Sequence, residues 1–175
     1  YMKTLGRLDL DRASGIQYTS KIDMEVNQRL DLCAPGYLLP LGVDPRPKLV
    51  DATESTLRRK YPKLMDKKIV LFLSRLAPNK GLDILLTALS ELATRRSDFV
   101  LVVAGEGTTS YKREVARLIR EHGHEDRTIL LGFVNGDEKW SILNEADIYV
   151  LPSHHENFPV AVVEALASGL PVVIS

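Results

Sequence analysis

Two carboxylates, Glu156 and Glu164, stand with seven residues between them in the stretch 151–169, Leu-Pro-Ser-His-His-Glu-Asn-Phe-Pro-Val-Ala-Val-Val-Glu-Ala-Leu-Ala-Ser-Gly. Glu156 falls in a polar loop. Glu164 falls in a run of Val, Ala and Leu that reads as a helix, with Pro159 suited to its first turn and Gly169 and Pro171 closing it. A carboxylate in so apolar a helix is costly to bury unless hydrogen-bond donors meet it. Residues 160, 161, 167 and 168 share its face and are Val, Ala, Ala and Ser, small enough for another group to come close. Two uses are open from the residues alone: an acceptor for ligand hydroxyls, or an ion pair with a neighbouring side chain.

A second group of candidates lies upstream. Arg75 and Lys80 belong to Ser74-Arg-Leu-Ala-Pro-Asn-Lys-Gly81, just before an amphipathic helix, where unpaired N–H groups and the positive end of the dipole already favour an anion. Together they suffice to balance a diphosphate without a bound metal. Gly105 and Gly107 permit close approach of backbone to a ligand, although Gly105-Glu-Gly-Thr-Thr-Ser110 lacks the third glycine of a dinucleotide fingerprint. Phe133 suits either the core or the border of a base. His154 and His155 are adjacent, so in an extended segment their rings point opposite ways and no metal is expected there. There is no Walker A run and no Gly-x-Ser-x-Gly elbow. A glycosidase needs two carboxyls facing each other across one bond, whereas Glu156 and Glu164 are staggered along a loop and a helix.

These residues need a scaffold, and from Lys68 onward the chain supplies a regular one. Apolar runs at 69–73, 99–104, 129–131, 148–151 and 172–174 alternate with amphipathic segments. Leu82, Leu85, Leu86, Leu89 and Leu92 recur at helical spacing in the first such segment, Val115, Leu118 and Ile119 in the second, and Trp140, Leu143 and Ala146 in the third. Strands apolar throughout are buried on both faces, which predicts an α/β fold, a doubly wound parallel sheet with right-handed crossovers. The polar and glycine segments then all fall at strand carboxyl ends, the ligand-binding edge of such a sheet. With strand order 3-2-1-4-5 the order reverses between the first and fourth strands, setting Arg75 and Lys80 across a cleft from Glu156 and Glu164.

Residues 1–50 differ in texture. A short strand is expected at 16–19, a helix from Ser20 to about Leu32 with Asp23 completing its N-cap, and another strand at 36–39. Three prolines in residues 40–47 mark a hinge, and a short charged helix is expected over 54–61. The 23 basic and 23 acidic residues cancel, so no field of one sign is available to hold a nucleic acid or an anionic bilayer. A single cysteine, Cys33, excludes an internal disulfide and fits a reducing compartment. No apolar run reaches the roughly eighteen residues that a membrane-spanning helix needs. The abrupt start at Tyr1 and the strand at the very end are what a piece of a longer protein would show.

The combination of Ser74-Arg75-Leu76, Lys80-Gly81, Ala104-Gly-Glu-Gly107, Leu131-Gly-Phe-Val134, Ala146-Asp-Ile-Tyr-Val-Leu-Pro-Ser153 and Glu156 through Glu164 resembles the C-terminal domain of family 4 glycosyltransferases. Those enzymes have the GT-B fold of two Rossmann-like domains. The resemblance covers roughly residues 40–175 and implies transfer of a sugar from a UDP- or GDP-linked donor to a glycan or lipid acceptor, with retention of configuration. It makes residues 1–45 the remnant of an N-terminal domain plus hinge, and 46–175 the nucleotide-sugar-binding domain, truncated at its end. By position it makes Arg75 and Lys80 the diphosphate clamp, gives the ribose hydroxyls to Glu164, and gives the donor sugar to Glu156 with the backbone of Asn157 and Phe158. Val134 would meet the base through its backbone, with Phe133 beside it. No metal or other cofactor is implied. The acceptor would bind through the N-terminal domain, and the family's setting implies a cytoplasmic protein, in some members peripheral to the membrane, serving polysaccharide or glycolipid synthesis. Ser74, Leu41, Asn157 and Pro159 depart from the common pattern. The other readings are a GT-B nucleotide-sugar epimerase or hydrolase and a noncatalytic nucleotide-binding domain.

Overall fold

The structure, a computed structural model, describes residues 5–43 and 56–175. The chain divides into two compact units, Tyr1–Val43 with Glu156–Val160, and Asp44–His155 with Ala161–Ser175.

In the first unit, α1 (Leu5–Asp11) leads to β1 (Ile16–Tyr18), α2 (Lys21–Gln28) and β2 (Gly36–Leu38). The two strands pair in parallel from Ile16 beside Gly36 to Tyr18 beside Leu38. Ser20 caps α2 as its sequence predicts, its hydroxyl accepting from the Asp23 N–H at 3.1 Å. The helix ends at Gln28, four residues before the expected Leu32, because the chain turns there: the N–H of Leu30 and of Asp31 bond back to Asn27 and Gln28, and Asp31 takes a φ of 48°. No apolar residue of α2 is buried, so nothing in this unit rewards a longer helix. The later half of the proline-rich hinge, the domain boundary at 45/46 and the start of the helix expected over 54–61 lie outside the described residues.

The second unit opens with α3 (Thr56–Lys60) and continues β3 (Lys68–Leu73), α4 (Leu82–Ala93), β4 (Phe99–Ala104), α5 (Thr109–Glu121), β5 (Thr128–Gly132), α6 (Gly136–Glu145), β6 (Ile148–Leu151), α7 (Val160–Ala167) and β7 (Val172–Ile174). Its five strands lie in the order β5-β4-β3-β6-β7, every neighbouring pair parallel, so the expected reversal of order between the first and fourth strands is present. All six residues of β4 and all but Lys68 in β3 are buried, the mark of central strands covered on both faces. Leu82, Leu85, Leu86 and Leu89 of α4 and Val115 and Ile119 of α5 fill one face, Ile142 and Leu143 of α6 and Val162 and Ala165 of α7 the other, as right-handed crossovers from a sheet that reverses its order require.

Helix ends follow local chemistry. After α7, Gly169 takes a φ of 70°, its N–H bonds to Leu166 O at 2.9 Å, and the N–H of Leu170 reaches Ala165 O at 3.0 Å. That is a Schellman closure, which buries Leu170. The same pattern ends α5, with Gly123 at φ 67° and the N–H of His124 on Ile119 O at 2.9 Å. Asp147 holds the amino-terminal side of the sheet, accepting from the Ile69 N–H and from Lys68 Nζ, both at 2.8 Å.

Candidate functional site

The carboxyl edge of this sheet is one continuous backbone-bonded rim. Beyond the ends of β3 and β4 the ladder continues, Ser74 N donating to Ala104 O at 3.1 Å and Leu76 N to Glu106 O at 2.7 Å. On the outer side Gly105 N donates to Gly132 O at 2.7 Å, where the pairing of β4 with β5 shifts register. Across the reversal, His154 N donates to Asn79 O at 2.9 Å, so the loop after β3 is also tied to the loop after β6.

Glycines make this rim possible. A Cβ on Gly105 would lie 1.8 Å from Ser74 O, and one on Gly107 would lie 2.3 Å from Leu76 O. These two glycines therefore let the chain's own neighbouring loop come close. Gly81, at φ 69°, does the same at the reversal, where its Cβ would sit 1.8 Å from Pro152 O. It joins the single turn Pro78–Lys80 to α4, and Pro78 costs nothing at the start of that turn because its missing N–H would have no partner there.

This rim presents Arg75. Its neighbours Ser74 and Leu76 use their N–H groups in the ladder and Leu76 is buried, which leaves the Arg75 side chain exposed. It makes no ion pair or side-chain hydrogen bond with another described residue. Lys80, at the last position of the turn, is partly buried. On the β4 loop Glu106 accepts from Lys112 Nζ at 2.9 Å, and that contact holds its carboxyl below the ordinary value. On the β5 loop Phe133 is 66% exposed while Val134 is buried, so the core use of this aromatic is excluded and its ring is open to solvent. His154 and His155 are exposed, and among the described residues no three His, Cys, Asp or Glu side chains gather as metal ligands would. Glu156, Asn157 and Phe158 belong to the first unit, with Asn157 exposed and the other two partly buried.

Glu164 takes up one of the two uses left open by its sequence, an ion pair with a neighbouring side chain. Its side chain is 12% exposed, and Oε1 accepts from Lys139 Nζ of α6 at 2.5 Å. The small face of α7 does admit an approaching group, and that group is a lysine on the adjacent helix. Lys139 was not legible as part of the site, because it reads in sequence as one more charge on a helix that begins Gly-Asp-Glu-Lys.

The chain matches the family of glycosyl transferases group 1 over residues 53–175. It belongs to that family. Among the group 1 relatives, mannosylfructose-phosphate synthase of Agrobacterium fabrum is 33% identical over 147 residues, 79% of this chain and 32% of the relative. The phosphatidylinositol N-acetylglucosaminyltransferase GPI3 subunit of Saccharomyces cerevisiae is 30% identical over 169 residues, 94% of this chain and 35% of the relative. This group 1 chain thus spans about a third of the length of the curated relatives it matches. The fold agrees with that of solved GT-B glycosyltransferases. Anabaena HepE, in a crystal structure with UDP and glucose, superimposes with a TM-score of 0.84 at 23% identity, over 95% of this chain and 46% of that one. Sucrose-phosphate synthase from Thermosynechococcus elongatus gives 0.79 at 22%, over 97% and 42%.

Proposed function

We propose that this group 1 glycosyltransferase chain is the donor-binding part of a retaining enzyme that moves a sugar from a UDP- or GDP-linked donor to a glycan or lipid acceptor. The observation that carries the reading is Arg75, an exposed guanidinium without a partner among the described residues, held by a hydrogen-bonded rim beside the reversal of strand order. A guanidinium so placed costs no reorganisation when it meets an anion, and its planar fork suits phosphate oxygens. Charge develops on the departing diphosphate as the sugar leaves, and Arg75 with Lys80 would stabilise it there without a metal ion.

The remaining roles rest on the family resemblance. Glu164 accepts from the ribose hydroxyls, the backbone of Val134 meets the base with the exposed Phe133 ring bordering it, and Glu156 with the backbone of Asn157 and Phe158 holds the donor sugar. Gly105 and Gly107 let the backbone approach the ligand and also shape the rim that carries Arg75. Residues 1–45 are the end of an N-terminal domain and hinge, and that domain takes the acceptor. A relative such as the α-D-kanosaminyltransferase of Streptomyces kanamyceticus is named for sugar transfer, which supports the reaction class.

Calorimetry with UDP, GDP and ADP on this chain tests the reading. The expected result is weak binding of one uridine or guanosine diphosphate, reduced tenfold or more by Arg75→Ala, about what a lost charge-assisted hydrogen bond costs. Equal affinity in wild type and variant would remove Arg75 from the site. The full-length protein incubated with donor and lipid or glycan acceptors is expected to yield a glycosylated product, and release of free sugar alone would favour a hydrolase.

A further inference from the structure

The pair formed by Lys139 and Glu164 reaches beyond the roles just assigned. Lys139 lies one turn into α6, its N–H bonded to Asn135 O at 3.2 Å. Its ammonium stands 5.2 Å from the centre of the Trp140 ring, a cation–π contact that limits where the flexible side chain can go. Both charges are largely withdrawn from water, at 25% and 12% exposure, so each would be costly to keep without the other. The contact uses Glu164 Oε1 only. Oε2 has no hydrogen-bond partner among the described residues, and a carboxylate accepting a single ammonium retains lone pairs on both oxygens.

We propose that Lys139 is a positioning residue for nucleotide binding: by gripping one oxygen of Glu164, it aims the other at a vicinal diol of the ligand. The proposal rests on the reading of Glu164 as the ribose acceptor. Lys139 itself touches no part of the ligand. Its removal leaves the Glu164 carboxylate, 12% exposed, without its counterion, so the side chain swings outward to water and the aimed acceptor is lost. Arginine at 139 keeps the charge but spreads it over a planar fork, so it restores the geometry only in part.

The test compares UDP with 2′,3′-dideoxy-UDP by calorimetry, with thermal melting to show that each variant is folded. Wild type is expected to prefer UDP by about tenfold or more, the usual worth of hydrogen bonds to a charged acceptor. Lys139→Met should lower that preference at least fivefold, Lys139→Arg should recover part of it, and Lys139→Met/Glu164→Gln should bind both ligands as Glu164→Gln alone does, since Lys139 acts only through Glu164. A merely structural lysine would change melting and weaken both ligands alike, leaving the preference intact. A folded Lys139→Met variant with the wild-type preference, or a double variant weaker for UDP than Glu164→Gln, overturns the assignment. If Lys139→Met does not fold, the double variant, which removes both charges together, decides by the same comparison. Glu164→Gln with undiminished preference defeats the ribose reading itself, a different outcome from loss in Glu164→Gln but retention in Lys139→Met.

Discussion

Single residues carry more of this edge than their types suggest. Gly81, Gly105 and Gly107 look interchangeable in sequence, yet each is fixed by a different carbonyl oxygen of a neighbouring loop. Gly105→Ala must relieve a contact of 1.8 Å against Ser74 backbone at a φ of 144°, and is expected to destabilise by on the order of 3 kcal/mol, strain and overpacking together. Gly123→Ala, with nothing within 4 Å at a φ of 67°, should lose only about 1 kcal/mol. Urea midpoints of the two variants check the order, and equal losses would mean that the loops do not pack as described. His124 offers a pH prediction. It is 2% exposed, its Nε2 lies 3.0 Å from Ser90 Oγ and 3.3 Å from Leu86 O, and Nδ1 is buried without a partner. Burial first holds its pKa below the ordinary value; the Leu86 carbonyl opposes this, while the charges of Arg127 and His122 reinforce it. Because the folded value lies below the unfolded one, about 6.5, stability is complete above that pH and is lost as pH falls through the folded value. Wild-type protein should therefore lose more stability between pH 7.5 and 5.5 than His124→Gln, and identical slopes would assign the loss elsewhere.

At the scale of elements, the parallel sheet and its helices were legible because fully apolar runs of five or six residues and leucines at helical spacing have few alternative uses. The usual strand order of a doubly wound sheet is the one found, and the alternation placed every polar loop on one edge. What escaped the sequence was tertiary. The length of α2 depends on an apolar face that its unit leaves unburied. The glycine pairings and the Lys139 contact depend on which loops and helices become neighbours, and no local pattern records that. The start of α3 is another such case: the N–H groups of Leu57 and Arg58 donate to Glu145 Oε1 and Oε2 at 3.0 and 3.1 Å, so a carboxylate 88 residues away serves as the cap. Glu145→Ala should cost about 1–2 kcal/mol, the usual worth of an N-cap, with faster amide exchange at 57 and 58 as its local sign. Unaltered exchange there would show that α3 is held by packing alone.

For the whole molecule, the balanced charge and the span of about a third of its relatives frame what this chain does by itself. A nucleotide diphosphate must be met by a local arrangement of donors, since there is no long-range field to draw it in. On the proposed reading that an N-terminal domain takes the acceptor, transfer is expected only from the full-length protein. Hydrogen exchange with and without UDP tests the central claim most directly, because it reports where on the second unit the ligand sits. Added protection is expected in the rim, residues 74–81 and 132–136, and in α7 around Glu164, with none at Ser90, His122 and His124 on the far edge. Protection confined to that far edge, or none in residues 74–81 at saturating UDP, would contradict it.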